Sequence, residues 1–389
     1  MSRQKQIWVI LLGLLLILTN SLRETKAQPS PAPLLMTVRG ALWSWQQGQK
    51  PQPITGEQYN HEPVLSSDGR YLAYAADHQL AIDLLKEGLI SSQNNIPRDI
   101  WLVDRLQNTL IRVAEQPLNA SFRKGSNSNY VARSRPTWSP DGRSLAWMEF
   151  RVDAAHPSGT SQIVIYHLQT ENYDYAQIPS QSDIPEVIMP ILWGKAGLSI
   201  IDATNGDYHL FLLNEQAEII SDTLIDSESA VVNNPHDLFW LLEGEKEYLA
   251  TPSSPEMLDP QTGETVIMNG LYVLSNPLVK SSIRIILAPR ETRENGIVNW
   301  YIIDSGGRTL SIPDVGPRMS FPLNFAVSPD GQDIAFVDQS GDNALVMVYH
   351  DGHFLQVLDE TQLPDSLVYP GVQGITWAKN EWKLLRPPQ

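Results

Sequence analysis

Pro136-Thr-Trp-Ser-Pro-Asp-Gly-Arg-Ser-Leu-Ala-Trp147 recurs twice with small edits, as Pro63-Val-Leu-Ser-Ser-Asp-Gly-Arg-Tyr-Leu-Ala-Tyr74 and as Phe325-Ala-Val-Ser-Pro-Asp-Gly-Gln-Asp-Ile-Ala-Phe336. Each copy reads as strand, tight turn, strand. Pro140 and Pro329 preset the backbone angle of the turn, and the carboxylates of Asp68, Asp141 and Asp330 are placed to bond their own backbone. Gly69, Gly142 and Gly331 take the positive φ that closes a hairpin. The run Leu145-Ala-Trp147 that follows is short and apolar, as suits a strand buried on both faces. A hairpin repeated at long intervals marks one supersecondary unit used many times.

Working outward, a second hairpin follows each copy. After the first copy come Asp99-Ile-Trp-Leu-Val-Asp104, a turn at Gln107-Asn108 and a strand at 110–113; after the second come 162–168, a turn near Glu171-Asn172 and 173–178. Four strands over about fifty residues is the length of a propeller blade. Degenerate units at 190–220, 238–267 and 271–312 keep the hydrophobic rhythm without the Asp-Gly turn, and the third clear copy continues into 345–349 and 354–358. Residues 374–385 read as an inner hairpin with no outer one, and residues 38–54 as an outer hairpin with no inner one. Pairing the two removes two exposed sheet edges at once. The expected fold is all-β: a seven-bladed β-propeller closed by its N- and C-terminal strands. Six or eight blades stay open, because the fourth and fifth units are the weakest.

The pattern Trp138-Ser-Pro-Asp-Gly-Arg-Ser-Leu-Ala-Trp147, with its relatives at 65–74 and 327–336, resembles the TolB-type, WD40-like propeller repeat. The resemblance covers most of the chain after residue 34. It implies the propeller fold and, by analogy with TolB, an exported, non-enzymatic hub that binds partners in the cell envelope. The chain departs from TolB in that strands begin almost at residue 34, leaving no room for an α/β domain ahead of the propeller. The same repeats front prolyl-oligopeptidase-like enzymes, but no hydrolase domain is legible after them here.

The N-terminus reads as a separate object. Arg3 and Lys5 precede an apolar run at 7–18, followed by Thr25-Lys26-Ala27. This is the layout of a secretory signal, with cleavage expected after Ala27; an uncleaved membrane anchor is the alternative. The expected division is a signal peptide at 1–27, a proline-rich tether at 28–33 and the propeller at 34–389. With no cysteine in the chain, disulfides and a lipid-modified N-terminal Cys are excluded. The formal charge is −16, and loss of residues 1–27 makes it −19, since four basic side chains and one acidic side chain go with them. Such a body repels nucleic acid and anionic lipid.

Chemistry is sparse. There is no Gly-x-Ser-x-Gly elbow, and Gly-rich fragments such as Ser305-Gly-Gly307 fall at hairpin turns. His350 and His353 bracket a turn and lack a third ligand, while 338–343 lacks the alternating pattern of a calcium loop. No cofactor is implied, and a structural metal ion in the channel stays open. The Trp and Tyr residues of the repeats, Tyr166 among them, are expected to pack between blades and to form no sugar platform.

One asymmetry stands out. The two longest loops of one face are neighbours, at 76–98 and 115–134, and the first contains a candidate amphipathic helix at 80–90. Long loops on a rigid scaffold are where binding resides. Arg98, Phe122, Arg123, Lys124, Tyr130, Arg133, Arg135 and Arg151 form the candidate rim, a positive cluster on a negative body suited to a protein partner or an anionic ligand. The expected function is therefore a non-catalytic binding scaffold. The alternative is a propeller enzyme of lyase or glycosidase type, acting on an extracellular or envelope polymer through channel carboxylates and histidines.

Overall fold

The chain divides into two units, Met1–Pro31 and Ala32–Gln389. The computed structural model describes residues 32–55, 60–89, 96–122, 128–177, 191–204, 207–229, 232, 238–243, 246–250, 256–267, 273–274, 284–287, 300–303, 309–311, 325–328, 333–338, 344–350, 353–363 and 371–378. The expected signal peptide and most of the tether lie outside them. So do Arg123, Lys124, Asp330 and Gly331.

The described strands form seven antiparallel sheets. The first blade runs Asn60–Leu65, Tyr71–Asp77, Arg98–Asp104, Thr109–Ala114, and the second Tyr130–Arg133 with Thr137–Trp138, then Ser144–Val152, Thr160–His167, Asn172–Gln177. The third is Leu192–Gly194, Gly197–Thr204, Asp207–Leu213, Ile219–Ile225; the sixth is Phe325–Val327, Ile334–Asp338, Leu345–His350, His353–Asp359. In all four, strands adjacent in sequence pair in sequence order, the meander of a propeller blade.

The turns follow from the repeated residues. Gly69 and Gly142 have φ of 71° and 72°. The Ser139 hydroxyl donates to Asp141 at 2.7 Å and accepts from the Ser144 amide at 3.0 Å, while Asp141 accepts the Arg143 amide at 3.0 Å. Ser66, Asp68, Arg70 and Tyr71 repeat this bond for bond. In the third copy the Asp333 amide donates to the Ser328 hydroxyl at 2.8 Å. A Cβ on Gly142 would lie 2.5 Å from the Ser67 hydroxyl, so the turn of one blade rests on that of the blade before it.

The core lies between the blades. Alternate residues of a strand point to opposite faces, and here both faces are covered. Leu34, Met36 and Val38 pack with Ala335, Val337 and Val346 of the sixth blade, whereas Leu35 and Leu42 pack with Leu72, Tyr74 and Val103 of the first. Ala73, Ala75 and Ile100 turn the other way, onto Leu145, Trp147 and Val164 of the second blade. The double burial explains the unbroken apolar runs. Two tryptophans tie joints directly: Trp138 Nε1 donates to Val64 O at 3.0 Å, and Trp377 Nε1 to Ala326 O at 3.0 Å.

Closure differs in detail from the expectation. The order is Val372–Trp377, Leu34–Val38, Ala41–Trp45, Gln52–Pro53, so the N-terminal region supplies three strands and the C-terminal region one described strand, in the inner position. Leu34 pairs with Trp377 and Met36 with Ile375. Two further expectations are corrected. The loop read at 115–134 ends in the strand Tyr130–Arg133, which pairs with the extended end of Ser144–Val152. Val273–Leu274, read as opening the fifth unit, pairs instead with Leu241 and Leu242 of the fourth blade, Phe239–Glu243, Lys246–Ala250, Glu256–Leu258, Thr265–Ile267. The fifth keeps three described strands, Arg284–Leu287, Trp300–Ile303 and Thr309–Ser311. No helix among the described residues is long and apolar enough to cross a membrane.

Candidate functional site

The two long loops of the first and second blades build one structure. Strand Tyr71–Asp77 runs into the helix Gln79–Lys86, capped by His78, whose Nδ1 accepts from the Leu80 amide at 3.3 Å. The apolar face of the helix, Ala81, Ile82 and Leu85, packs on Ile96 and Phe122. Phe122 belongs to the next loop and packs equally on Tyr130, Ala132 and Phe150 of the second blade, with its ring 4.7 Å from that of Tyr130, edge to face. The Ser121 and Asn129 amides donate to each other's carbonyls at 2.8 Å, and Pro97 bridges to Ala132. One phenylalanine thus welds helix, loop and second blade together.

Beneath this face lies a polar layer. Asp77 accepts Arg98 Nε at 2.9 Å and His61 Nε2 at 3.0 Å. Gln116 acts as a strand surrogate: its amide donates to Arg98 O and Val131 O, and its oxygen accepts the Val131 amide. Arg133 is 3% exposed, with Nε on Glu149 Oε1 at 2.7 Å, Nη1 on Arg98 O at 2.6 Å and Nη2 on Glu115 O at 3.1 Å. Glu149 also accepts Trp147 Nε1 at 3.2 Å and Gln162 Nε2 at 3.0 Å. Burial pushes the Glu149 carboxyl upward, but Arg133 and these two bonds outweigh it and hold the group below its ordinary range.

Asp99 is the odd member. It is 4% exposed and sits 3.9 Å from both Arg133 Nη1 and Arg112 Nη1, and its Oδ1 makes no hydrogen bond among the described residues. Burial raises its carboxyl above the ordinary value, against the charges of His78, Arg133 and Arg112.

The rim residues therefore divide. Phe122 and Tyr130 are brought together as packing anchors. Arg98 and Arg133 are neutralised by Asp77 and Glu149, so they are internal cross-links and add no free positive charge to the rim. Arg135 and Arg151 are half-buried, and the charge of Arg151 acts on the Tyr175 phenol of the outermost strand. Away from it, His350 Nδ1 bonds Asp333 while His353 is exposed on the paired strand. Among the described residues no group of three His, Asp or Glu side chains is placed to hold a metal ion.

Sequence reading missed Asp99, Gln116 and Glu149, and also two aromatics. The segment Asn172-Tyr-Asp-Tyr-Ala-Gln177 alternates, which on a strand places Tyr173 and Tyr175 on one side. That alternation was the available signal.

No family model and no curated protein sequence matches the chain. Solved structures do. TolB from Acinetobacter baumannii is 14% identical over 90% of this chain and 66% of its own, with a TM-score of 0.38. Dipeptidyl peptidase 4 from Porphyromonas gingivalis is 13% identical over 82% of this chain and 48% of its own, with a TM-score of 0.41. The β-propeller domain of the trilobed protease from Pyrococcus furiosus is 13% identical over 77% and 83%, with a TM-score of 0.43. The chain spans 66% of the length of TolB and 48% of that of the peptidase. With its repeated Ser-x-Asp-Gly hairpins, blade meanders and joined ends, this chain is a β-propeller resembling the TolB-like, WD40-like family.

Proposed function

We propose that this chain is an exported, non-catalytic scaffold whose first and second blades present the binding face for an acidic segment of a protein partner. The observation that carries the reading is the weld at Phe122, which fixes the two longest loops to each other and to the sheet beneath. A face built from loops yet anchored in this way loses little conformational freedom on binding. Export rests on the charged, apolar and small-residue pattern of residues 1–27.

Arg123 and Lys124 are the cations of this reading, in a segment flanked by Phe122 and Tyr130. Arg133 is left out of the test because its guanidinium is buried on Glu149. The experiment is affinity capture from the native envelope fraction on immobilised chain lacking residues 1–27, washed over a salt series, beside the Arg123→Ala/Lys124→Ala variant. The expected result is a partner retained by the parent chain and released by the variant at lower salt. Equal retention of every captured protein by both would overturn the acidic-segment reading, and mature protein still beginning at Met1 would overturn export by cleavage.

A further inference from the structure

We propose that the outer edge of the third and fourth blades takes up an extended, basic and apolar segment of a partner protein as an added β-strand. This does not rest on the partner reading above, since none of its residues belongs to the first or second blade.

Ile219–Ile225 is the outermost strand of the third blade, and no described strand pairs with its outer side. The register slips between Leu212 and Leu213, so the regular stretch is Ser221–Ile225, paired with Leu212 back to Tyr208. Sheet edges are ordinarily blunted by proline, by basic side chains or by brevity. The closing sheet ends in Gln52–Pro53, and the outer strand of the first blade carries Arg112. Ile219–Ile225 has none of these devices, and its Leu224 is 62% exposed and its Ile220 55%. A Cβ on Gly263 would lie 2.4 Å from Thr223 Cγ2 and 3.0 Å from Leu224 O, so the outer turn of the fourth blade rests on this strand. Val266 and Ile267 follow that turn on the outermost strand of the fourth blade and are exposed as well. Aliphatic side chains of two neighbouring blades thus border one open strand edge.

The charges select the occupant. Residues 207–229 and 256–267, which span the outer hairpins of both blades, contain no lysine or arginine. Glu215, Glu218, Asp226, Glu228 and Glu264 are exposed along them, and so is Asp222, whose Oδ1 bonds His209 Nδ1 at 2.6 Å. Between residues 191 and 274 there is no arginine, and the lysines are Lys195 and Lys246. Lys246 Nζ sits 3.8 Å from Asp259, and the Lys195 amide donates to Glu247 Oε2 at 2.5 Å. On the second blade Ile163, Ile165 and Ala176 face the third, and by alternation so do His167 and Asp174, which bond each other at 2.8 Å. An anionic polymer or lipid meets repulsion here, and a second copy of this chain would bring carboxylate to carboxylate. A segment alternating Lys or Arg with Val, Ile or Leu suits both features. Its backbone extends the sheet, its apolar side chains cover Ile220 and Leu224, and its cations meet the carboxylates.

The test is fluorescence anisotropy of a labelled octapeptide alternating Lys and Val, titrated with the chain lacking residues 1–27, which keeps the unit Ala32–Gln389 whole. The expected result is saturable binding that weakens as salt rises. An alternating Glu/Val octapeptide should not bind, and a peptide of the first composition with its lysines and valines in separate blocks should bind about tenfold or more weakly. Amides of alternate residues point to the same edge of a strand. N-methylation of one set, all lysine amides or all valine amides, should therefore abolish binding, while methylation of the other set should spare it. Leu224→Lys should weaken binding about tenfold or more, Leu224→Ile should keep most of it, and Leu106→Lys, at an exposed site on the first blade, should leave it unchanged. Because Leu224 is exposed, Leu224→Lys should melt at the parent temperature. Three results would overturn the proposal: no binding of the alternating Lys/Val peptide, equal binding of the block peptide or of both methylated peptides, or a Leu224→Lys chain that binds as strongly as the parent.

Discussion

At the scale of single residues, Glu149 and Asp99 are two carboxylates of one polar layer with opposite energetic signs. Glu149 is held below its ordinary pKa by Arg133, so its ionised form stabilises the fold. That contribution is present above the pKa of the unfolded chain and is lost as pH falls through the folded value. Asp99 is held above its ordinary pKa by burial, so its ionised form costs stability at neutral pH, and the cost lifts as pH falls through the raised value. Glu149→Gln should therefore destabilise by about 3 kcal/mol at pH 7, because Arg133 stays buried without its counter-charge. Asp99→Asn should stabilise by on the order of 1 kcal/mol, the scale of a buried polar group's unmet desolvation. In urea unfolding repeated from pH 7 to pH 3, the Asp99→Asn gap should close from above as pH falls towards the ordinary carboxylate range, whereas the Glu149→Gln gap should hold until that range is reached and narrow from below only under it. A gap that stays constant with pH in either variant would contradict the assigned ionisation.

At the scale of elements, what counts is which links were local. The Asp-Gly turn was legible because all its bonds fall within six residues, from Ser139 to Ser144. The serine was not singled out, although Ser66, Ser139 and Ser328 occupy the same place in all three copies and each accepts the amide five residues on. The strand Tyr130–Arg133 was hidden for a different reason. A polar run precedes it, Pro136 follows it, and its partner is the stretch of Ser144–Val152 that continues past the repeat. The Arg133–Glu149 bond depends on that pairing, so a residue read as surface charge is an internal cross-link. Tryptophan packing between blades was foreseeable, and its hydrogen bond gives it a measurable size. Trp138→Phe keeps the ring packing but leaves Val64 O without the indole donor. It should cost about 1–2 kcal/mol in urea unfolding with an unchanged m-value. A change below about 0.3 kcal/mol would mean that solvent replaces the bond freely.

At the scale of the whole molecule, the decisive contact joins the two ends of the propeller. Among the described residues, the joints from the sixth blade through the closing sheet to the fourth each contain a buried core layer, and the closing sheet is the one assembled from strands distant in sequence. Loop closure over such a separation costs about 4 kcal/mol more than closing a hairpin, and the cost is recovered through burial of Leu34, Met36, Ile375 and Trp377 against the sixth blade. Ending the chain after Gly371 removes the inner strand of that sheet. It uncovers the edge of Leu34–Val38, whose five residues are all buried in the closed form. An apolar edge with unpaired amides is a template for another chain. The truncated protein should therefore lose its cooperative thermal transition or run as a dimer or larger species in light-scattering chromatography. A synthetic peptide of residues 371–378 added during refolding should restore the parent elution volume, because it returns the Leu34–Trp377 and Met36–Ile375 pairs without a covalent link. If the truncated chain stays monomeric and melts at the parent temperature, closure contributes nothing to the fold. If it dimerises and the peptide has no effect, the deleted strand works only when tethered, and the entropic cost of closure rather than the loss of its pairing is what the ends overcome.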